Sequence, residues 1–528
     1  MVKPVRTELK EVIQNFFPQE KVNIDYVPSG KKGDYATNLA LQIGKHSSTP
    51  PMKIASEVIQ KISSPMIDEI IIYEPGFINF LINKNYLLNK LREIDKINIA
   101  QDKNVRINVE FVSANPTGPL NIVNARAAAF GDALVKLLSY AGYQADAEFY
   151  INDSGRQIDL LGESIQQRMN ELQGKECNIP DDGYHGEYIK DLAREILKEN
   201  ITNPEAIKRF AVEYFVTKQK NCLEEFRVYF KNWIPESSIR KQGYVEKVLS
   251  LFEKNGLTYA KDNALFLKTT QFGDTRDRVI VTSDNRYTYL LPDIAYHQNK
   301  IERGYDRLIT ILGPDHLGQV KSLTSALVAL GYPADILKVI IVQEVKLKKD
   351  GRYIPMSKRA GAIWTLDDLL EKLSVDVIRF FLLMRSCSQH LDFDMDLALK
   401  ESEENPVYYV QYAYARIKNI IKFGGEKGIE IVERPDLSLL RENEEFELIK
   451  QSLRFFEMIE DALNELDPFS ITHYLISLAR TFHYFYQKHR VVSDDRELTQ
   501  ARLFLISKVA HIFKTGLGII GVSCPERM

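Results

Sequence analysis

Cysteine is scarce. Four residues, Cys177, Cys222, Cys387 and Cys524, are spread over 528 positions. None stands in a C-x-x-C pair, and no group of cysteine and histidine has zinc-ligand spacing. A zinc module, a dithiol redox centre and a disulfide framework are therefore set aside, and the four read as reduced thiols of a soluble cytoplasmic protein. Long apolar runs are also missing, so no segment is expected to span a membrane. The N-terminal stretch carries an amphipathic helix pattern through Leu9, Val12, Ile13 and Phe16 instead of a signal-peptide core. No charge of one sign dominates: the formal net charge is −3. Any contact with nucleic acid would have to use local basic patches. Internal repeats and low-complexity tracts are absent.

What is there is an ordinary globular composition, 45% apolar and 27% charged, long enough for about three or four domains. The chain is organised around residues 110–143. An apolar strand at 107–112 runs into the turn Asn115-Pro116-Thr117-Gly118-Pro119. A long helix follows, with Val123, Ala127, Phe130, Leu134, Leu137 and Ala141 at steps of three and four and Gly142 at the C-terminal cap position. Strand, glycine turn and helix N-terminus together make either an anion site, with free N–H groups and the helix dipole facing whatever binds there, or a plain strand–helix corner of α/β architecture.

The rest of the chain is placed around this unit. Residues 1–96 read as a small α+β domain, with a hairpin around Glu74-Pro75-Gly76. Residues 97–372 alternate strands with helices, the pattern of a Rossmann-like doubly wound parallel sheet, whose ligands sit at the carboxyl ends of its strands. Alternation stops near 158–265, which is read as a helical insertion, and the sheet is expected to resume at 278–283. Residues 373–528 read as all helical, with one long helix near 405–423.

The string E-F-V-S-A-N-P-T-G-P-L at 110–120, a four-residue box, and then A-R-A-A-A-F-G-D-A-L resembles the first signature of class I arginyl-tRNA synthetases. So do G-D-Y-A-T-N-L-A-L at 33–41, Tyr150-Ile151-Asn152-Asp153-Ser154-Gly155-Arg156-Gln157, Gly313-Pro314-Asp315-His316, Pro355-Met356-Ser357-Lys358, Val375-Asp376-Val377-Ile378-Arg379 and the C-terminal segment from Gly516. The resemblance covers nearly the whole length. It implies arginine activation by ATP, with Mg2+ as counter-ion and no tightly bound metal, followed by transfer to the 3′ end of tRNA(Arg). It also implies an N-terminal domain on the outer corner of tRNA and a C-terminal domain on the anticodon. No membrane partner is expected, and a monomer is the expectation.

On this resemblance Glu110, Asn115, Tyr289 and Asp293 match the arginine pocket. A guanidinium wants carboxylates in forked geometry. Glu110 lies in an apolar strand, where an unpaired charge would cost several kcal/mol, so a bound cation is a sensible partner. Asp293 alternatively serves only as a turn or cap residue after Pro292. Gly118, Asn121, Val123, Asn124, His316, Met356 and Lys358 match ATP positions, with Asn121, Asn124 and Lys358 as catalytic donors to phosphate. His316 alternatively has a structural role. Tyr408, Tyr412 and Arg416 suit stacking on anticodon bases, or the tyrosines are half-buried packing residues.

The box reads Asn121-Ile122-Val123-Asn124 where the family has His-Ile-Gly-His. Two neutral amides replace the histidines, and a β-branched side chain stands where a glycine lets adenine approach the backbone. In the second signature Pro355 replaces the first lysine, and Lys358 is retained. Two readings stay open, an enzyme with an adapted ATP site and a catalytically weak or silent paralogue that binds tRNA.

Overall fold

Arg106–Glu110 is the middle strand of a five-stranded sheet. Across the sheet the strands run Leu337–Ile341, Arg307–Leu312, Arg106–Glu110, Gln144–Ile151 and Asn232–Pro235, every neighbouring pair parallel. In chain order that is 5-4-1-2-3, the doubly wound arrangement, and its direction reverses between Arg106–Glu110 and Arg307–Leu312. The register sets Glu110 beside Thr310 on one side and Glu148 on the other. The computed structural model describes residues 2–97, 99, 104–354 and 364–528.

The long helix is Ile122–Tyr140. It is more central than a one-faced helix. Ala125, Ala128, Ala129 and Ala133 are buried together with Phe130, Leu134 and Leu137, while Val123 and Ala127 are only half-buried. Gly131 leaves room for the Phe111 ring, which a side chain there would overlap. Gly142 takes φ +91°, and Tyr143 N–H donates to Leu138 O at 3.1 Å, the glycine-terminated helix end expected from the sequence.

Three helices, Arg156–Leu172, Glu187–Lys198 and Pro204–Glu225, form the insertion. They enclose a core of their own built on Leu161, Ile165, Ile189, Leu192 and Ala211. The sheet nevertheless resumes inside the stretch read as helical, because Asn232–Pro235 is its edge strand. Arg278–Val281, expected to continue the parallel sheet, pairs antiparallel with Ala264–Leu267 in a separate three-stranded sheet. The Asp262-Asn263 turn, both residues at positive φ, closes the hairpin of Thr258–Lys261 and Ala264–Leu267, and Arg278–Val281 adds to the open edge of its second strand.

The N-terminal region is a four-stranded antiparallel sheet with flanking helices. It rests on the C-terminal helices. Arg6 N–H, Tyr26 Oη and Tyr35 Oη each donate to the buried Glu457 carboxylate at 2.8 Å. That carboxylate belongs to Asn443–Glu465, which packs with Phe469–Lys488 and Arg496–Ile519, and these two in turn pack with Pro406–Glu426. The expectation that everything beyond 373 is helical fails at Leu391–Asp394, which pairs parallel with Val345–Lys349. Among the described residues no helix is long and apolar enough to cross a membrane.

Candidate active site

The site begins where the central strand ends. After Glu110 the chain bends through Val112 (φ +67°) and Ser113 (φ +37°), two consecutive non-glycine residues at positive φ. Such backbone persists only when its surroundings hold it, and it clusters at functional sites. Ser113 supplies the hold: its hydroxyl donates to Glu110 Oε1 at 3.0 Å and accepts from Tyr150 N–H at 3.1 Å.

Glu110 is buried, as expected, but not unpaired. Lys300 Nζ donates to its Oε2 at 2.6 Å, and the lysine is itself fully buried, 4.2 Å from the centre of the Tyr296 ring. The cation that compensates Glu110 is therefore the chain's own, and burial of Glu110 by itself points to no ligand. Lys300 lies seven residues after Asp293 on the helix Leu290–Glu302, two turns along one face. That spacing was the available signal for it. Next to this pair Glu148 is also buried, yet a fork of hydrogen bonds from Arg303 (2.6 and 2.7 Å) and one from Tyr296 Oη (2.7 Å) holds it below the usual carboxylate range.

Asp293 differs from both. Among the described residues its carboxyl has no hydrogen-bond partner, and burial, with the charges of Glu110 and Glu236 beside it, pushes it up to about 7 against the opposing pull of Lys300. Two carboxylates near one another and short of positive charge make a place for a cation. Glu236, bonded to Arg240 Nε at 2.8 Å, is a third carboxylate that no sequence signal identified. Tyr150 completes the wall. It stacks on Tyr296 at 4.1 Å, and its buried hydroxyl has no partner among the described residues. Tyr289 precedes Asp293 by one turn and is 76% exposed at the mouth. His297, on the same helix, is held neutral, well below its usual range, by burial and by the charge of Lys300.

Asn121 and Asn124 meet at the N-terminus of Ile122–Tyr140 and cap it reciprocally. Asn121 Oδ1 accepts from Val123 N–H and Asn124 N–H, both at 2.9 Å, and Asn124 Oδ1 accepts from Asn121 N–H at 3.0 Å. The degenerate box is thus a capping box. Three backbone donors that would face an anion are taken by side chains. Both Nδ2 groups have no partner among the described residues and are the donors left over. The chain following residues 355–363 joins here: Ile122 N–H donates to Trp364 O at 3.3 Å, and Leu366 N–H donates to Leu120 O at 2.8 Å. Met356 and Lys358 themselves lie outside the described residues. His316 is exposed just past the carboxyl end of Arg307–Leu312, across the reversal point from Glu110. Asn115 is exposed on the turn, and Gly118 lies beneath Tyr188.

At the other end of the molecule, Tyr408, Tyr412 and Arg416 share the helix Pro406–Glu426. The Arg416 guanidinium hydrogen-bonds Tyr412 Oη and lies 4.7 Å from the Tyr412 ring and 5.1 Å from that of Tyr486. These residues, with Asn419 and Met528, line a cavity of about 300 Å3. A neighbouring one of about 640 Å3 is lined by Tyr408, Gln411 and Asp376, and shares Tyr412 and Met528. Tyr486 and Met528 lie far along the chain and carried no signal. One group of possible cation ligands, Glu442, Glu444 and His489, is present among the described residues, and His489 Nε2 already lies 3.1 Å from Glu444 Oε2.

A strand–turn–helix with a capped N-terminus at the reversal point of a parallel sheet, flanked by a carboxylate pocket, defines a nucleotide-binding α/β domain of the class I synthetase type. Comparison with known families agrees. Residues 85–378 match the family model for the catalytic domain of class I (R) tRNA synthetases, residues 3–82 the arginyl tRNA synthetase N terminal domain, and residues 410–528 the DALR anticodon binding domain. The arginine–tRNA ligase 1 of Halalkalibacterium halodurans is 42% identical over 514 residues, covering 94% of this chain and 92% of that protein. The arginine–tRNA ligase of Staphylococcus carnosus is 40% identical over 528 residues, covering 97% and 95%. In fold, the chain resembles the arginyl-tRNA synthetase of Thermus thermophilus, with TM-score 0.82, 22% identity and coverage of 99% and 100%. The chain belongs to the arginyl-tRNA synthetase family of class I.

Proposed function

We propose that this chain is an arginine–tRNA ligase: it activates L-arginine with ATP and transfers the arginyl group to the 3′ end of tRNA(Arg). The observation that carries this reading is Asp293, a carboxyl without a partner among the described residues, beside Glu110 and Glu236 near the carboxyl ends of the central strands. A guanidinium supplies the missing charge and the forked donors. Glu110, Asp293 and Tyr289 take the arginine side chain, with Glu236 and the Tyr150 hydroxyl completing the pocket. Asn115 takes its backbone end.

Activation shifts charge onto the phosphates of ATP, with Mg2+ as its counter-ion. Asn121 and Asn124 serve through their free amide nitrogens, because their oxygens are committed to the helix cap. Gly118, Val123 and Met356 bound the nucleotide. His316 contacts it, and Lys358 supplies the cation on the phosphates. The N-terminal domain, residues 1–96, takes the outer corner of tRNA. The helical domain, residues 373–528, takes the anticodon on Tyr408, Tyr412 and Arg416, beside the cavity closed by Tyr486 and Met528. Residues 97–372 are the catalytic domain, and the whole chain acts as a monomer in the cytoplasm.

Arginine-dependent ATP–pyrophosphate exchange, with and without cognate tRNA and beside Val123→Gly, tests this. Exchange by the unaltered chain is expected. No exchange with tRNA still bound would replace the proposal by a silent tRNA-binding paralogue, and exchange in Val123→Gly alone would locate the defect at the adenine contact.

A further inference from the structure

The turn Asn115-Pro116-Thr117-Gly118-Pro119 contains two prolines, so it has few donors of its own and its carbonyls must find partners elsewhere. One side chain provides them. Gln219 Nε2 donates to Asn115 O at 3.1 Å and to Gly118 O at 3.0 Å, spanning the turn from end to end. Gln219 is 2% exposed on the helix Pro204–Glu225, and its Oε1 is buried with no partner among the described residues. Two more contacts reach the same turn. Asn115 Nδ2 donates to Gln157 Oε1 at 2.6 Å, and the Tyr188 hydroxyl packs so close over Gly118 that a Cβ there would lie 3.2 Å from it. Gln157, Tyr188 and Gln219 come one each from the three insertion helices, whose core is separate from that of the sheet.

We propose that the three-helix insertion is a positioning body for this turn, and that Gln219 is the positioning residue through which it acts. Gln219 touches no substrate. It fixes the backbone from which Asn115 and Gly118 face the cleft, and any shift of the insertion as a unit moves that backbone. A buried amide that spends both hydrogens on the turn while its oxygen goes unused is placed for donation, not for general packing. The inference rests on the proposed roles of Asn115 and Gly118 in holding arginine and ATP.

The test uses the full chain with Gln219→Met, which keeps length and volume but donates nothing. Gln157→Ala is the second variant; that side chain is exposed, so folding tolerates its loss. Ile196→Val, a conservative trim in the insertion core, leaves the insertion and its contacts to the turn in place and controls for a general loss of stability. Hydrogen exchange of residues 113–120 and the KM for arginine are measured in each, together with tRNA affinity. Gln219→Met is expected to speed exchange across 113–120 and raise the KM for arginine about tenfold, as displacement of a positioning group does. Gln157→Ala moves both in the same direction by less, tRNA affinity holds, and Ile196→Val changes neither. Unchanged exchange in both glutamine variants, or an equal KM rise in Ile196→Val, overturns the proposal. The exchange arm needs no catalysis, so a wild-type chain that fails to arginylate would refute the ligase reading while still showing whether Gln219 holds the turn.

Discussion

Lys300 and Glu110, 190 positions apart in the chain, form an ion pair of 2.6 Å with both side chains buried. Asp293, the carboxyl that the ligase reading assigns to the arginine guanidinium, lies beside Glu110 and on the same helix as Lys300, so the protein's own cation stands next to the proposed position of the substrate's. Removing the lysine leaves a buried carboxylate uncompensated. Lys300→Met is predicted to lower the unfolding free energy by about 3–5 kcal/mol, and the double variant Lys300→Met/Glu110→Gln to recover most of it. Urea unfolding of the two proteins measures the difference.

Asp293 gives the pocket a pH dependence. In the free protein its carboxyl is pushed up to about 7, mostly by burial. A bound guanidinium favours the ionised form, so binding releases a proton, about half of one at pH 7. Arginine affinity is therefore predicted to rise between roughly pH 6 and pH 8 and to level off above. Calorimetry in buffers of different ionisation enthalpy counts the proton. Asp293→Asn is predicted to abolish the release and to weaken arginine binding by about 10–100-fold.

The capping box separates stability from catalysis at Asn121. Serine keeps the cap acceptor but removes the amide donor. Asn121→Ser is predicted to leave thermal stability nearly unchanged and to lower kcat by about 10²-fold. Asn121→Ala, which loses the cap as well, should cost a further 0.5–2 kcal/mol or so of stability. Thermal melts and exchange assays on the same preparations test both.

Arg379 is a buried tie between the helix Ile122–Tyr140 and the chain just after the C-terminal helix Arg496–Ile519. It pairs with Asp132, and its Nε donates to Ile520 O at 3.0 Å. Gly521, at φ +70°, lies against this guanidinium, and a Cβ would overlap it. Gly521→Ala is predicted to destabilise by roughly 2–4 kcal/mol, from strain in the left-handed region and from overpacking.

At the far end, Arg416 lies over the rings of Tyr412 and Tyr486. Arg416→Ala is predicted to raise the Kd for tRNA while leaving the KM for arginine at saturating tRNA unchanged. Filter binding across salt concentrations should also show a shallower slope, by about one unit, if the guanidinium meets a phosphate.

The sequence by itself determined the parts that local periodicity and turn chemistry encode. The strand into Glu110, the proline-bounded turn, the helix ended by Gly142 and the placement of that unit at the carboxyl ends of a parallel sheet were legible, because each follows from the spacing of apolar residues and from the few residues that tolerate special backbone. Tyr289 and Asp293 were named only through the family resemblance, and the structure sets them at the start of the helix Leu290–Glu302. Tertiary structure alone decided which distant groups complete the site. A strand's alternation does not name its partner, so Asn232–Pro235 joined the parallel sheet, Arg278–Val281 left it, and Leu391–Asp394 paired with Val345–Lys349. Nor does a side chain's type name its neighbour. Lys300 became the counter-ion of Glu110, Asn121 and Asn124 turned their oxygens to each other's backbone, and Gln219 reached across to the turn. Each of these is a choice among many chemically equal partners, and only the packing of one body against another makes it.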